Sequence, residues 1–177
     1  MAKADLWSMI HHERAALADD LATLSDEQWD VPSMCTGWSV RDVVAHLTAS
    51  AKISVPGFFI KMAGSGFSFT RMQTKDIAVE RGASTAETLE RFRGQITSTT
   101  HPPGPTDTWL GEAVIHGADI RRPLGIAQST PTDAAVRVAE FYKGSNLVVG
   151  AKKRIDGLQL TATDADWSTG SGPAVVP

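Results

Sequence analysis

The sequence predicts a mainly α-helical fold, a four-helix bundle followed by a short β-containing segment. Three observations predict it. Apolar residues recur at helical spacing along several long stretches. Short breaks with capping or Pro/Gly signals separate those stretches, as antiparallel neighbours in a bundle require. Near Leu158 the period changes to the alternation of a strand. Residues 1–150 are therefore expected to form the helical bundle, and residues 151–177 a partial C-terminal β segment.

The elements follow in order. Leu6, Met9, Ile10, Leu17, Leu21 and Leu24 line one face of a first helix over 4–24. Ser25 and Gln28 have capping-box spacing, and Trp29 packs the short turn that follows. Pro32 and Gly37 punctuate a loop. Ser39 caps a second helix, Asp42 suits its first turn, and Val40, Val43, Val44 and Leu47 supply its buried side. Pro56 and Gly57 are expected to end or kink this helix near Val55.

From Gly57 to Gly82 the apolar Phe58, Phe59, Met62, Phe67, Phe69 and Met72 are interrupted by Gly64, Ser65 and Gly66. This stretch reads as a helical extension, a loop and a long crossing, and its exposed apolar residues as the contact of a homodimer. Ser84 and Glu87 form a capping box for a third helix carrying Leu89, Phe92 and Ile96. After the break at 101–105, Thr106 and Asp107 open a fourth helix that ends near Arg122, before Pro123 and Gly125. A fifth starts at 131–133 and runs through Tyr142. Leu158, Leu160 and Ala162 then alternate with Gln159, Thr161 and Thr163.

Composition narrows the function classes. With 177 residues the chain has room for one ordinary domain and a small appendage. Lys+Arg 17 against Asp+Glu 20 leaves a net charge of -3, which lacks the cationic surplus of a nucleic-acid binder. The single cysteine excludes a disulfide scaffold and a Cys-rich zinc module, and fits a reducing cytoplasm. No apolar run approaches the ~20 residues that span a bilayer, so no membrane partner is expected. The charged and polar N-terminus lacks a signal-peptide core.

Chemistry concentrates at Glu112 and His116. Four apart, they lie one above the other on a helix face shared with Trp109, Ala113 and Ile120, which turns toward the core. A buried carboxylate without a partner costs several kcal/mol. His46 poses the same problem beside Val43 and Leu47. Together His46, Glu112 and His116 form a candidate His₂Glu metal set with an open coordination position. A core histidine bonded to a neighbour and a surface Glu–His pair are the competing readings.

Asp119 stays near the face of His116. It either accepts from an imidazole N–H or a polar ligand, or it pairs with Arg121 or Arg122. Those two arginines suit the helix C-terminus in any case. Cys35 reads as a small buried residue and His101 as exposed. No role is assigned to His11 or His12, and Lys152, Lys153 and Arg154 read as a solvated run.

The string Cys35-Thr-Gly-Trp-Ser-Val-Arg-Asp-Val-Val-Ala-His-Leu47, with Gly111-Glu-Ala-Val-Ile-His-Gly-Ala-Asp-Ile-Arg-Arg-Pro-Leu-Gly125, resembles the mycothiol-dependent maleylpyruvate isomerase family. That family lies within the DinB-like superfamily of metal-binding four-helix bundles. Residues 158–167 and 170–173 are similar to its C-terminal part, although the chain ends at Pro177, short of the family's further secondary structure. The resemblance implies that His46, Glu112 and His116 bind a divalent metal. It implies that Asp119 and Arg122 contact thiol cofactor or substrate, and that Arg71 or Arg81 meets a substrate carboxylate.

The implied cofactors are mycothiol and a metal, zinc by ligand type, although iron, cobalt and nickel accept the same donors. The expected function is a metal-dependent mycothiol S-transferase or isomerase. A metal-bound thiolate would attack a small electrophilic, carboxylate-bearing substrate. For a cis-enone acid, addition, bond rotation and thiolate expulsion would give the trans isomer. The alternative is a non-enzymatic metal-binding bundle that carries a ligand or a partner.

Overall fold

The structure is a computed structural model that describes residues 3–128, 130–146 and 149–176. It divides into two compact units, Met1–Ser129 and Thr130–Pro177. The division precedes the fifth expected helix, whereas the change of sequence period placed it near residue 150. Periodicity marks where helix gives way to strand, but a compact unit is marked by which residues pack together.

The first unit holds α1 (Lys3–Leu21), α2 (Asp26–Trp29), α3 (Val40–Lys52), α4 (Val55–Gly64), α5 (Phe69–Glu80), α6 (Thr85–Arg93) and α7 (Thr106–Leu124). Its core is a bundle of α1, α3, α6 and α7. Leu17, Ala18 and Leu21 of α1 cluster with Val40, Val43, Val44 and Leu47 of α3, Phe92 of α6, Ile120 of α7 and Trp29 of α2. Phe92, Val40, Val43 and Val44 are fully enclosed. Removing this apolar area from water, at about 25 cal/mol per Å², is the main force assembling the helices.

Capping chemistry sets most helix starts. Ser25 N–H donates to Gln28 Oε1 at 2.9 Å. At α3 the Asp42 N–H donates to Ser39 Oγ, and Asp42 returns the bond by accepting from Ser39 N–H at 2.9 Å. At α6 Glu87 N–H donates to Ser84 Oγ at 3.1 Å. α7 ends where Gly125 takes a left-handed φ of 68°, two residues after Pro123, which is absorbed into the last turn.

Residues 53–82 depart from expectation. α3 ends at Lys52, and Ser54 caps a new helix, α4, with Pro56 in its first turn. Proline is welcome there because its missing N–H would have no partner in a first turn. The expected crossing is itself a helix. Ser68 Oγ accepts from Arg71 N–H to start α5, which lies along α3 and buries Met72 and Ile77. Phe59, Ile60 and Phe67 are exposed. None of the helices among the described residues is long and apolar enough to cross a membrane.

Buried cations tie helices that are far apart in sequence. Arg121 of α7 is wholly buried, and its Nε donates to Asp20 Oδ2 of α1 at 2.6 Å. Arg14 Nη1 donates to the carbonyls of Gln95 and Ser98 at 3.0 and 2.8 Å, and burial lowers its pKa to about 10. Arg81 pairs with Asp42. Burial alone would raise the Asp42 pKa, but bonds from the Ser39 N–H and hydroxyl and from Arg81 hold it below its ordinary value.

A folded-state pKa below the unfolded value contributes stability that is present above pH 3.8 and lost as pH falls through the folded pKa. Asp42→Asn is therefore expected to lower stability by up to about 1 kcal/mol near neutral pH. The difference should close on acidification below the ordinary carboxylate pKa. Urea midpoints of both proteins along a pH series measure it, and a constant difference would remove the assignment.

The second unit holds α8 (Thr132–Lys143), α9 (Ala151–Arg154), β1 (Leu158–Thr161), β2 (Ser168–Gly170) and β3 (Ala174–Val176). β1 is central, antiparallel to β2 and parallel to β3, with Leu160 opposite Thr169 and Gln159 opposite Val175. Its alternating burial matches the period seen in the sequence. Trp167 Nε1 donates to Glu140 Oε1 at 2.6 Å, joining this segment to α8.

Candidate metal centre

Two helices build the site. On α3 the apolar Val43, Val44 and Leu47 face the core, so His46 lies on the shoulder of that face, 8% exposed. On α7 the four-residue spacing stacks Glu112 and His116, and Asp119 follows one turn later. α3 packs against α7, and this contact supplies the convergence that neither segment encodes alone.

His46 Nε2 lies 3.0 Å from Glu112 Oε2, and His116 Nε2 lies 3.7 Å from the same oxygen. The two imidazoles meet edge to face, with centroids 5.2 Å apart. One donor atom from each of His46, Glu112 and His116 falls within 4.8 Å of the other two. Two imidazole nitrogens and a carboxylate oxygen at this separation are a donor set that zinc-type cations take, three donors leaving one tetrahedral position for another ligand. The residues fit such an ion.

The ionisation of each group is set by its neighbours. Burial disfavours the Glu112 carboxylate, yet its hydrogen bond with His46 and its attraction to both imidazoles hold its pKa below the ordinary value. Burial also opposes charge on His116. The hydrogen bonds to Asp119 and Cys35 and the Glu112 charge outweigh it, and the pKa is pushed up to about 10. Burial raises Asp119, but His116, Cys35 and the nearby Arg122 leave it lowered. Two carboxylates thus flank one imidazole from its two nitrogens, an arrangement that favours positive charge between them.

His116 Nδ1 lies 3.0 Å from Asp119 Oδ2, so Asp119 takes the imidazole-partner role and not the pairing with Arg121. Arg122 stands exposed three residues beyond Asp119. The other candidate cations lie elsewhere. Arg81 is bound to Asp42, one turn before His46 on α3, and Arg71 Nη1 donates to the Ser65 carbonyl at 3.3 Å. Neither has a hydrogen bond or ion pair with the three candidate ligands among the described residues.

Two expectations about single residues are corrected. Cys35 is half-buried but is not a plain packing residue: its Sγ lies 3.2 Å from Asp119 Oδ2 and 3.5 Å from His116 Nδ1. It precedes His46 by three turns' worth of chain and reaches His116 from a loop, so no local spacing could reveal it. His101 is half-buried between Trp7 and Trp109, with ring centroids 5.7 and 5.6 Å away. Aromatic stacking holds it where its proline-rich surroundings suggested exposure.

Two solved structures of mycothiol-dependent maleylpyruvate isomerase, one a histidine-to-alanine variant, are similar to this chain with TM-scores of 0.63 and 0.62. Each is 13% identical, and the match covers 98% of this chain and 82% of theirs. At that identity the likeness establishes the fold. No curated protein matches the sequence. Residues 10–104 match the family described as the mycothiol maleylpyruvate isomerase N-terminal domain, a stretch that contains Cys35 and His46 and precedes Glu112. Because that match spans more than half of the chain, the protein belongs to the mycothiol maleylpyruvate isomerase N-terminal domain family.

Proposed function

We propose that His46, Glu112 and His116 bind a divalent cation, zinc by the chemistry of the donors. The chain would then be a mycothiol-dependent isomerase or S-transferase acting on a small electrophilic, carboxylate-bearing substrate. The observation that carries this reading is the convergence of three donor atoms within 4.8 Å from two helices. The family, and the activity named for the two similar structures, support the thiol and the substrate class.

A bound cation of this kind supplies Lewis acidity that lets a thiol react as thiolate near neutral pH. The chain's own residues do the rest. Asp119 accepts the Nδ1–H of His116 and so leaves Nε2 free on the side of Glu112 and His46. Trp38, with its ring centroid 5.1 Å from that of His46, restricts the second imidazole. Arg122 is exposed near Asp119 and is the cation proposed to meet a carboxylate of substrate or thiol cofactor. Arg71 keeps a candidate role in substrate binding, and Arg81, already committed to Asp42, is the weaker candidate. The proposed location is the cytoplasm, where low-molecular-weight thiols stay reduced.

Elemental analysis of the purified protein, with an assay of maleylpyruvate isomerisation in the presence and absence of mycothiol, tests the proposal. Near-stoichiometric zinc and turnover that needs both metal and thiol are expected. Metal without turnover of maleylpyruvate or of a panel of other electrophiles would leave a metal-binding bundle with no enzymatic role. Absence of metal would sink the reading altogether.

A further inference from the structure

The loop spanning residues 33–38, between α2 and α3, touches both candidate histidine ligands from outside. Met34 N–H donates to the Asp119 carbonyl at 3.1 Å, which anchors the loop on α7. Within the loop Ser33 N–H and Oγ both donate to the Trp38 carbonyl, at 2.9 and 2.8 Å. Trp38 N–H donates to the Cys35 carbonyl and Cys35 N–H to Ser33 Oγ, at 3.0 and 3.1 Å. A turn closed by its own bonds presents two side chains, Trp38 against His46 and Cys35 against Asp119 and His116.

We propose that Cys35 is a positioning residue for His116. Its thiol donates to Asp119 Oδ2, the same oxygen that accepts the His116 Nδ1–H, and thereby holds His116 Nε2 toward Glu112 and His46. This inference rests on the metal reading above. A half-buried carboxylate with one donor is free to turn about its terminal torsion, and the imidazole it holds turns with it. A second donor on the same oxygen removes that freedom. Groups that orient a ligating imidazole through its other nitrogen contribute strongly to metal affinity.

Donor atoms of Cys35, His116 and Asp119 also fall within 4.8 Å of one another, so direct ligation by Cys35 is the competing role. Cys35 Sγ lies on the Nδ1 edge of the ring, 3.5 Å away, whereas Glu112 Oε2 lies 3.7 Å from Nε2 on the opposite edge. Nδ1 is already engaged by Asp119 at 3.0 Å. The thiol therefore approaches the ring from behind the candidate triad.

The test uses the full chain with Cys35→Ala and Cys35→Ser. Zinc affinity is read by competition with a chromophoric chelator, the cobalt-loaded spectrum reports ligand geometry, and nitrogen NMR follows the His116 Nδ1–H without metal. Cys35→Ala is expected to weaken zinc binding by about 10-fold or more. Cys35→Ser, whose hydroxyl can still donate, should stay within about 3-fold of the parent. The Nδ1–H resonance should shift or broaden in the alanine variant and recover in the serine variant.

Unchanged affinity with an unmoved resonance in Cys35→Ala would overturn the proposal. So would a sulfur-to-cobalt charge-transfer band that disappears in Cys35→Ser, because Cys35 would then be a ligand. If the parent protein bound no metal while the resonance responded as described, the positioning role would stand and only the metal reading would fail.

Discussion

His116→Ala is expected to abolish both metal binding and thiol-dependent turnover while leaving the helical content intact. Removing a direct ligand should weaken zinc by more than the roughly 10–100-fold lost with an outer partner. Protein purified from this variant should then carry less than about a tenth of the parent's metal. The fold should survive because His116 is half-buried and contributes little to the apolar core of Leu17, Val43, Phe92 and Ile120. Elemental analysis and far-UV circular dichroism of the same preparation check the two halves together. Metal retained at the parental level would show that Glu112 and His46 hold the ion without it, and that the proposed site is wrong.

Asp20→Ala should produce the largest loss of stability, about 3 kcal/mol. The Arg121 side chain is 1% exposed, and among the described residues its buried Nη1 and Nη2 atoms have no hydrogen-bond partner, so the contact of Nε with Asp20 is the polar contact of the guanidinium there. Removing Asp20 strands a charge inside the bundle. Gly117 adds a steric limit, because a Cβ there would come within 2.9 Å of Arg121 Nη1. Replacing both members of the pair, as in Asp20→Ala with Arg121→Met, should recover most of the loss, since a buried charge and its partner cost about as much to desolvate as their attraction returns. Urea unfolding of the single and double variants measures this. A double variant as unstable as Asp20→Ala alone would place the energy in packing and not in charge.

The candidate metal donors and the buried Arg121 differ in how far the amino-acid order reveals them. The Glu112–His116 pair was legible because helical spacing fixes which residues share a face, and its apolar neighbours Trp109, Ala113 and Ile120 showed that the face turns inward. His46 was legible for the same reason beside Val43 and Leu47. Arg121 and Arg122 were not separable, since adjacent residues on a helix differ by about 100° and only the partner helix decides which one is enclosed. Asp20, the residue that decides it, lies 101 positions earlier in the chain. Cys35 was missed because its partners are 81 and 84 positions away and its loop has no periodic pattern. The helix α5 was missed because Gly64, Ser65 and Gly66 broke the period just before a serine cap restarted it.

The amino-acid order by itself determined the local events: where helices begin at Ser39 and Ser84, where α7 stops at Gly125, and which side chains ride together on one face. These depend on backbone hydrogen bonds and dihedral preferences that act within a few residues. Only the packing of α3 against α7 decided that His46 meets Glu112 and His116, and only the docking of the 33–38 loop on α7 decided that Cys35 meets Asp119. Those contacts are chosen by burial of apolar surface, which is non-directional and leaves no spacing in the chain from which the partner can be read.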